Sequence, residues 1–255
     1  MKTEKSKASE NKGMYILPNL FTTGALFSGF YAIIAAVHMD FVAAAVAIFI
    51  SAVLDSLDGR VARLTNTQSA FGAEYDSLAD IVSFGVCPAL VAYLWSLNNL
   101  NQIGWLVSFV FVASCGLRLA RFNSSIDSGS KRYFFGLPCP AAAAVIAGLV
   151  WVAGEHGTTN FVGSIFVGIL VLFVGLMMVS NFKYRSFKDY DFKDSKGFTS
   201  MVAVVLIIAF IATSPAYVLF TVFFLYALSG PAVFLYCKLT GKTQGEAEAK
   251  VVEEL

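Results

Sequence analysis

The sequence predicts an all-α integral membrane protein: a polytopic helical bundle of about eight transmembrane helices, with both termini in the cytoplasm. Three observations predict it. The first is composition: of 255 residues, 57% are hydrophobic and 14% charged, with a mean hydropathy of +0.71. A soluble domain carries about 25% charged residues. The second is a succession of apolar runs, each compared with the roughly 20 residues that cross a bilayer. The third is the placement of basic residues along the chain. A net charge of only +1 argues against nucleic acid as a partner. The cysteines Cys87, Cys115, Cys139 and Cys237 are widely spread, without a CxxC pair, and read as small apolar filler.

Residues 1–14 form a polar, lysine-rich cytoplasmic leader without an apolar stripe, disordered or lying on the membrane surface. A signal peptide fits poorly, because further apolar runs follow rather than a soluble domain. The membrane domain spans 15–240, with apolar runs near 16–37, 41–62, 77–97, 103–122, 137–153, 161–181, 198–213 and 215–237. The fifth and seventh runs are short and the break at Ser214-Pro215 is tight, so six or seven spans are the alternative count. Residues 241–255 form a cytoplasmic tail, a frayed helix.

With eight spans, all 18 lysines and arginines fall on one side or at its membrane edge, and none lies in the opposite loops. By the positive-inside bias that side is the cytoplasm. Small residues such as Ala32, Ala35 and Ala36 allow close helix approach. The phenylalanine-rich run from Phe220 to Phe234 reads as lipid-facing or bundle filler. The loop Lys183–Lys196 reads as interfacial, anchored by Tyr184, Phe187, Tyr190 and Phe192. A lid or an anionic-lipid contact is the alternative.

One stretch breaks the apolar pattern. From Asp55 to Asp80 the chain places four aspartates where charge is expensive, which marks a functional site. Asp55 and Asp58 share one helical face, as do Asp76 and Asp80. Together the four repel one another unless cations neutralise them. Oxygen-only ligands favour hard divalent ions, with a proton relay or a Na⁺ or H⁺ transport site as alternatives. The position at one membrane face and the absence of a second copy favour catalysis over transport. Gly59 and Gly72 leave room for a ligand beside the carboxylates. Arg63, eight positions after Asp55, offers a phosphate partner. The only histidines, His38 and His156, fall in the opposite loops, so a carboxylate must be the base where one is needed, and Asp80 is best placed.

The spacing D-x2-D-G-x2-A-R-x8-G-x3-D-x3-D is met by Asp55, Asp58, Gly59, Ala62, Arg63, Gly72, Asp76 and Asp80. It resembles the signature of the CDP-alcohol phosphatidyltransferases. The resemblance implies a membrane enzyme, usually a homodimer, with two divalent ions (Mg²⁺ or Mn²⁺). Such enzymes move the lipid phosphate of a CDP-linked lipid to an alcohol and release CMP. By that resemblance Asp55 and Asp76 bridge both ions, Asp58 completes the first, and Asp80 ligates the second and accepts the proton. Gly59, Ala62, Arg63, Ser69 and Gly72 are implied to hold the CDP-lipid. Pro18-Asn19-Leu20-Phe21-Thr22 resembles the family's N-x-x-T diphosphate element, adding Asn19 and Thr22; Asn19 could equally cap a helix.

Three later stretches, Ile81–Pro88, Leu117–Phe122 and Phe135–Pro140, resemble the membrane-embedded (type II) phosphatidylserine synthase branch. Relatives that use glycerophosphate or inositol phosphate usually carry a basic residue after the last aspartate, and Ile81 departs from that. The resemblance therefore implies CDP-diacylglycerol and L-serine as substrates. Arg118 and Arg121 could bind the serine carboxylate or a substrate phosphate, with positive-inside anchoring as the alternative. Rival readings are another alcohol acceptor, an ether-lipid (archaetidyl) donor, or a cation-coupled transporter.

Overall fold

The computed structural model describes residues 2–65, 67–124, 133–154, 159–185 and 213–240. Its helices are α1 (Lys2–Val37), α2 (Phe41–Leu64), α3 (Ala70–Asp80), α4 (Cys87–Trp95), α5 (Gln102–Ser124), α6 (Cys139–Gly154), α7 (Phe161–Val179) and α8 (Pro215–Thr240). Six helical stretches are long and apolar enough to cross a membrane: Pro18–Val37, Phe41–Leu64, Ala70–Trp95, Gln102–Ser124, Phe161–Val179 and Pro215–Leu239. The protein is thus a polytopic helical membrane protein. α6 is apolar but shorter, as the short fifth run anticipates. The expected run at 198–213 (all but its last residue), the tail from Gly241, His156 and the loop residues beyond Arg185 lie outside the described residues. α1 takes in the polar leader from Lys2 onward.

α1 and α2 form an antiparallel pair joined by the tight turn His38–Asp40. Asp40 caps α2 by accepting from the Ala43 amide at 3.0 Å. Their seam is built of small side chains: Ala32, Ala36, Ala44 and Ala45 are fully buried. Close approach lets hydroxyls reach across it. Ser28 donates to the Ala47 carbonyl and Ser51 to the Ala25 carbonyl, both at 2.8 Å.

The third span starts earlier than its hydropathy suggests, at Ala70 rather than near 77. It is also not one regular helix. After Asp80 the chain makes a π-helical stretch, Ile81–Val86, before α4 resumes. Single-turn π segments recur at functional sites, and this one begins directly after the last aspartate of the cluster. Ser83 within it lies against Gly29 of α1, where any larger side chain would collide with the serine.

The core gathers around Phe84, Trp95, Phe111, Leu137 and Ile146, all essentially unexposed. At the end remote from the aspartates, Asn99 donates to the Thr159 carbonyl at 2.8 Å, and Ser164 donates to the Ser96 carbonyl at 2.9 Å. These bonds tie the exit of α4 to the start of α7.

An antiparallel ribbon of two short strands, β1 (Tyr133–Phe135) and β2 (Lys183–Arg185), departs from the purely helical expectation. Its register pairs Tyr133 with Arg185, Phe134 with Tyr184 and Phe135 with Lys183. Tyr184 itself departs from the interfacial anchoring expected of it. It is fully buried, its hydroxyl donates to the Ala227 carbonyl at 3.0 Å, and its ring packs on Tyr226. Phe187, Tyr190 and Phe192 lie outside the described residues.

Candidate active site

α2 ends where α3 begins, so the last turns of one helix meet the first turns of the other beside the Pro18–Thr22 segment of α1. Residues 65–69 make the connection. Thr67 folds back on α2, its amide donating to the Ala62 carbonyl at 3.0 Å, and Ser69 then caps α3 by accepting from the Gly72 amide at 3.0 Å. This short return brings the two aspartate faces together.

Asp55, Asp76 and Asp80 each present a carboxylate oxygen within 4.8 Å of the other two. Divalent ions bind oxygens at about 2.0–2.6 Å, so ligands on opposite sides of one ion stand about 4–5 Å apart. The trio fits that span. Asp76 also has a buried Oδ1 without a hydrogen-bond partner. A buried carboxylate oxygen left unpaired is costly, and a cation would satisfy it. The donor set is oxygen only, which suits Mg²⁺ or Mn²⁺.

Asp58 stands outside this trio. It is buried, and its Oδ2 accepts the Thr22 hydroxyl at 2.8 Å. It forms part of the wall of an adjoining cavity of about 280 Å³. That cavity gathers the residues the sequence singled out for the nucleotide lipid. α1 contributes Asn19 and Thr22, α2 contributes Gly59, Ala62 and Arg63, and α3 contributes its cap Ser69 with Gly72 and Asp76. A β-carbon on Gly59 would meet nothing within 4 Å, so that backbone is open to a ligand. One on Gly72 would sit 3.1 Å from Ser69 Oγ and 3.4 Å from Asn19 Oδ1, so the glycine lets the α1 element close on α3.

Sequence reasoning missed Thr67 and Gln68, which also line the cavity. They sit in the unspecified eight-residue gap of the signature, and only the fold-back onto Ala62 brings them in. His38 stays away from the site: it begins the turn before α2, and the helical rise from Phe41 to Asp55 alone is about 20 Å.

Arg118 and Arg121, one turn apart on α5, part company. Arg118 is buried and donates from Nη1 to Cys139 Sγ at 3.4 Å, while its Nε has no partner. Cys115 packs against Gly85 of the π-helical stretch that follows Asp80. Arg121 is exposed, donates to Asn181 Oδ1 at 2.9 Å and stacks over the Phe135 ring at 5.5 Å. It fastens α5 to the segments around the β ribbon.

Comparison with known proteins identifies relatives of the chain. The family model for CDP-alcohol phosphatidyltransferases matches residues 15–180. The chain is 44% identical over 176 residues to the CDP-diacylglycerol–serine O-phosphatidyltransferase of Helicobacter pylori, covering 69% of this chain and 74% of that protein. It is 33% identical over 220 residues to the protein of the same name from Mycobacterium tuberculosis, covering 84% and 76%. The Methanocaldococcus jannaschii protein of that name is 40% identical over 146 residues, covering 57% and 65%.

Proposed function

The chain belongs to the CDP-alcohol phosphatidyltransferase family, and from that premise we propose that it transfers the phosphatidyl group of CDP-diacylglycerol to the hydroxyl of L-serine, giving phosphatidylserine and CMP. The observation that carries the proposal is the convergence of Asp55, Asp76 and Asp80 at the edge of a cavity lined by Asn19, Thr22, Gly59 and Arg63. The relatives' names supply the serine acceptor.

Asp55, Asp76 and Asp80 would hold the divalent cation, Mg²⁺ or Mn²⁺, and Asp58 is near enough to the cavity wall to join a second. When bound, such ions neutralise charge on the diphosphate and on the departing CMP. The chain's own residues do the rest. Asn19 and Arg63 supply donors on the cavity wall for the diphosphate, Thr22 holds Asp58 in place beside it, and Gly59 and Gly72 allow it close to the backbone. Asp80 accepts the proton from the serine hydroxyl as its oxygen bonds to the lipid-side phosphorus. The bond from that phosphorus to the CMP oxygen breaks, and CMP leaves. Arg118 pairs with the serine carboxylate on the far side of Asp80.

The eight-span count, the cytoplasmic site, the inner cell membrane and a homodimeric state complete the proposal. They are supported by the basic-residue distribution and the family pattern. Full-length protein in lipid nanodiscs with CDP-diacylglycerol, serine and Mn²⁺ should release CMP, stop with a chelator and resume when Mn²⁺ or Mg²⁺ is restored. Absence of CMP with every alcohol offered would overturn the transfer reaction.

A further inference from the structure

Arg118 is a charged side chain with only 9% of its surface exposed, and its Nε is unpartnered. A guanidinium buried this deeply is unfavourable unless its donors are met. Among the described residues no carboxylate pairs with it. Its one hydrogen bond is to a sulfur, from Nη1 to Cys139 Sγ at 3.4 Å. Cys139 heads α6, and its own thiol proton points away, toward the Cys115 carbonyl at 3.8 Å. The sulfur can therefore accept from the guanidinium. Leu137 just before it is pinned by its amide to the Met177 carbonyl at 3.0 Å, so the start of α6 is fixed in place. The same thiol is within electrostatic reach of Asp80. Cys139 therefore touches Arg118, the one buried cation among the described residues, and neither residue lines the cavity described above.

We propose that Cys139 is a positioning residue for the acceptor: its thiol seats the Arg118 guanidinium so that the unpartnered Nε edge receives the carboxylate of an amino-acid alcohol beside Asp80. The inference rests on the transfer to serine proposed above. Cys139 acts through Arg118 and takes no part in bond making. Arg121, bound to Asn181 and Phe135, belongs to the fastening of the ribbon and not to this subsite.

Two substitutions separate this role from packing. Valine is close to cysteine in volume and has no lone pair; serine keeps an acceptor and loses bulk and apolarity. An apolar filler at the buried start of α6 would tolerate Cys139→Val and be harmed by Cys139→Ser. A seat for a guanidinium reverses that order. Steady-state kinetics in nanodiscs with Mn²⁺ should show Cys139→Val raising the KM for serine about tenfold, the low end for a hydrogen bond to a charged group. The KM for CDP-diacylglycerol should be unchanged, and Cys139→Ser should return to within about threefold of wild type. Cys139→Ala carries the same prediction as valine where valine is not accommodated.

An unchanged serine KM in both apolar variants overturns the proposal. So does a rise confined to the CDP-diacylglycerol KM, which would make the bound anion the donor's phosphate. A uniform loss across all parameters, with serine no better than valine, overturns it in favour of packing. Failure of the underlying reaction is distinguishable: wild-type protein that releases no CMP with serine fails the acceptor assignment. An active wild type with an unresponsive Cys139→Val fails the positioning role alone.

Discussion

Thr22 on the first helix donates its hydroxyl to Oδ2 of Asp58 on the second, at 2.8 Å and buried from solvent. Two motifs far apart in the chain are therefore one piece of chemistry. The bond holds a signature carboxylate in place, and both residues line the same cavity. Thr22→Val leaves that carboxylate buried without its donor. Losing a hydrogen bond to a charged group is worth about 1.5–3 kcal/mol, so kcat/KM for CDP-diacylglycerol should fall about 10- to 100-fold. Thr22→Ser should retain most activity. Equal activity in the valine and wild-type proteins would remove Thr22 from the site.

Asp80→Asn keeps shape and removes the proton acceptor. Turnover should fall by at least about a hundredfold, the lower range for general base catalysis. Binding of CDP-diacylglycerol, followed as thermal stabilisation of the purified protein in the presence of Mn²⁺, should largely persist. Retained turnover would mean that another group takes the proton.

Gly72→Ala pushes a methyl group toward Ser69 Oγ and Asn19 Oδ1. The α3 cap and the α1 element must separate by a few tenths of an ångström. The effect should fall on the KM for CDP-diacylglycerol, about three- to tenfold by analogy with one weakened contact, with kcat little changed. A variant in which only the serine KM moved would show that Gly72 belongs to the acceptor side.

Gly136 precedes α6 with a φ of +79°, and any side chain there would collide with the Met178 carbonyl. Gly136→Ala combines a left-handed backbone, about 1–3 kcal/mol of strain, with that collision. It should lower the thermal midpoint of the detergent-solubilised protein and shift the start of α6. An unchanged midpoint would show that the turn can rearrange without penalty.

The donor side of the site was legible in the sequence because its information is carried by helical spacing. Asp55 with Asp58, and Asp76 with Asp80, share faces whatever the rest of the bundle does, and a short connection forces those faces together. The described helices largely follow the apolar runs, except that the third span begins at Ala70 rather than near 77 and α1 reaches back through the polar leader. The acceptor side was only half legible. Two arginines one turn apart look equivalent in sequence, but Arg118 turns into the bundle toward α6 while Arg121 meets Asn181 and Phe135. The π-helical stretch after Asp80 has no periodic signal of its own. Nor could three-residue strands nearly fifty positions apart announce that they pair, which is why Tyr184 looked interfacial and is instead buried. Cys139 reads as filler by type; only its contact with Arg118 gives it a role.

The most direct measurement is incorporation of radiolabelled serine into lipid. Purified protein in nanodiscs would be given CDP-diacylglycerol, Mn²⁺ and, in parallel, labelled serine, glycerol 3-phosphate or inositol 1-phosphate. The predicted result is labelled phosphatidylserine with an equal yield of CMP from serine alone. Labelled lipid only from a phosphorylated alcohol would contradict the assignment of serine as the acceptor.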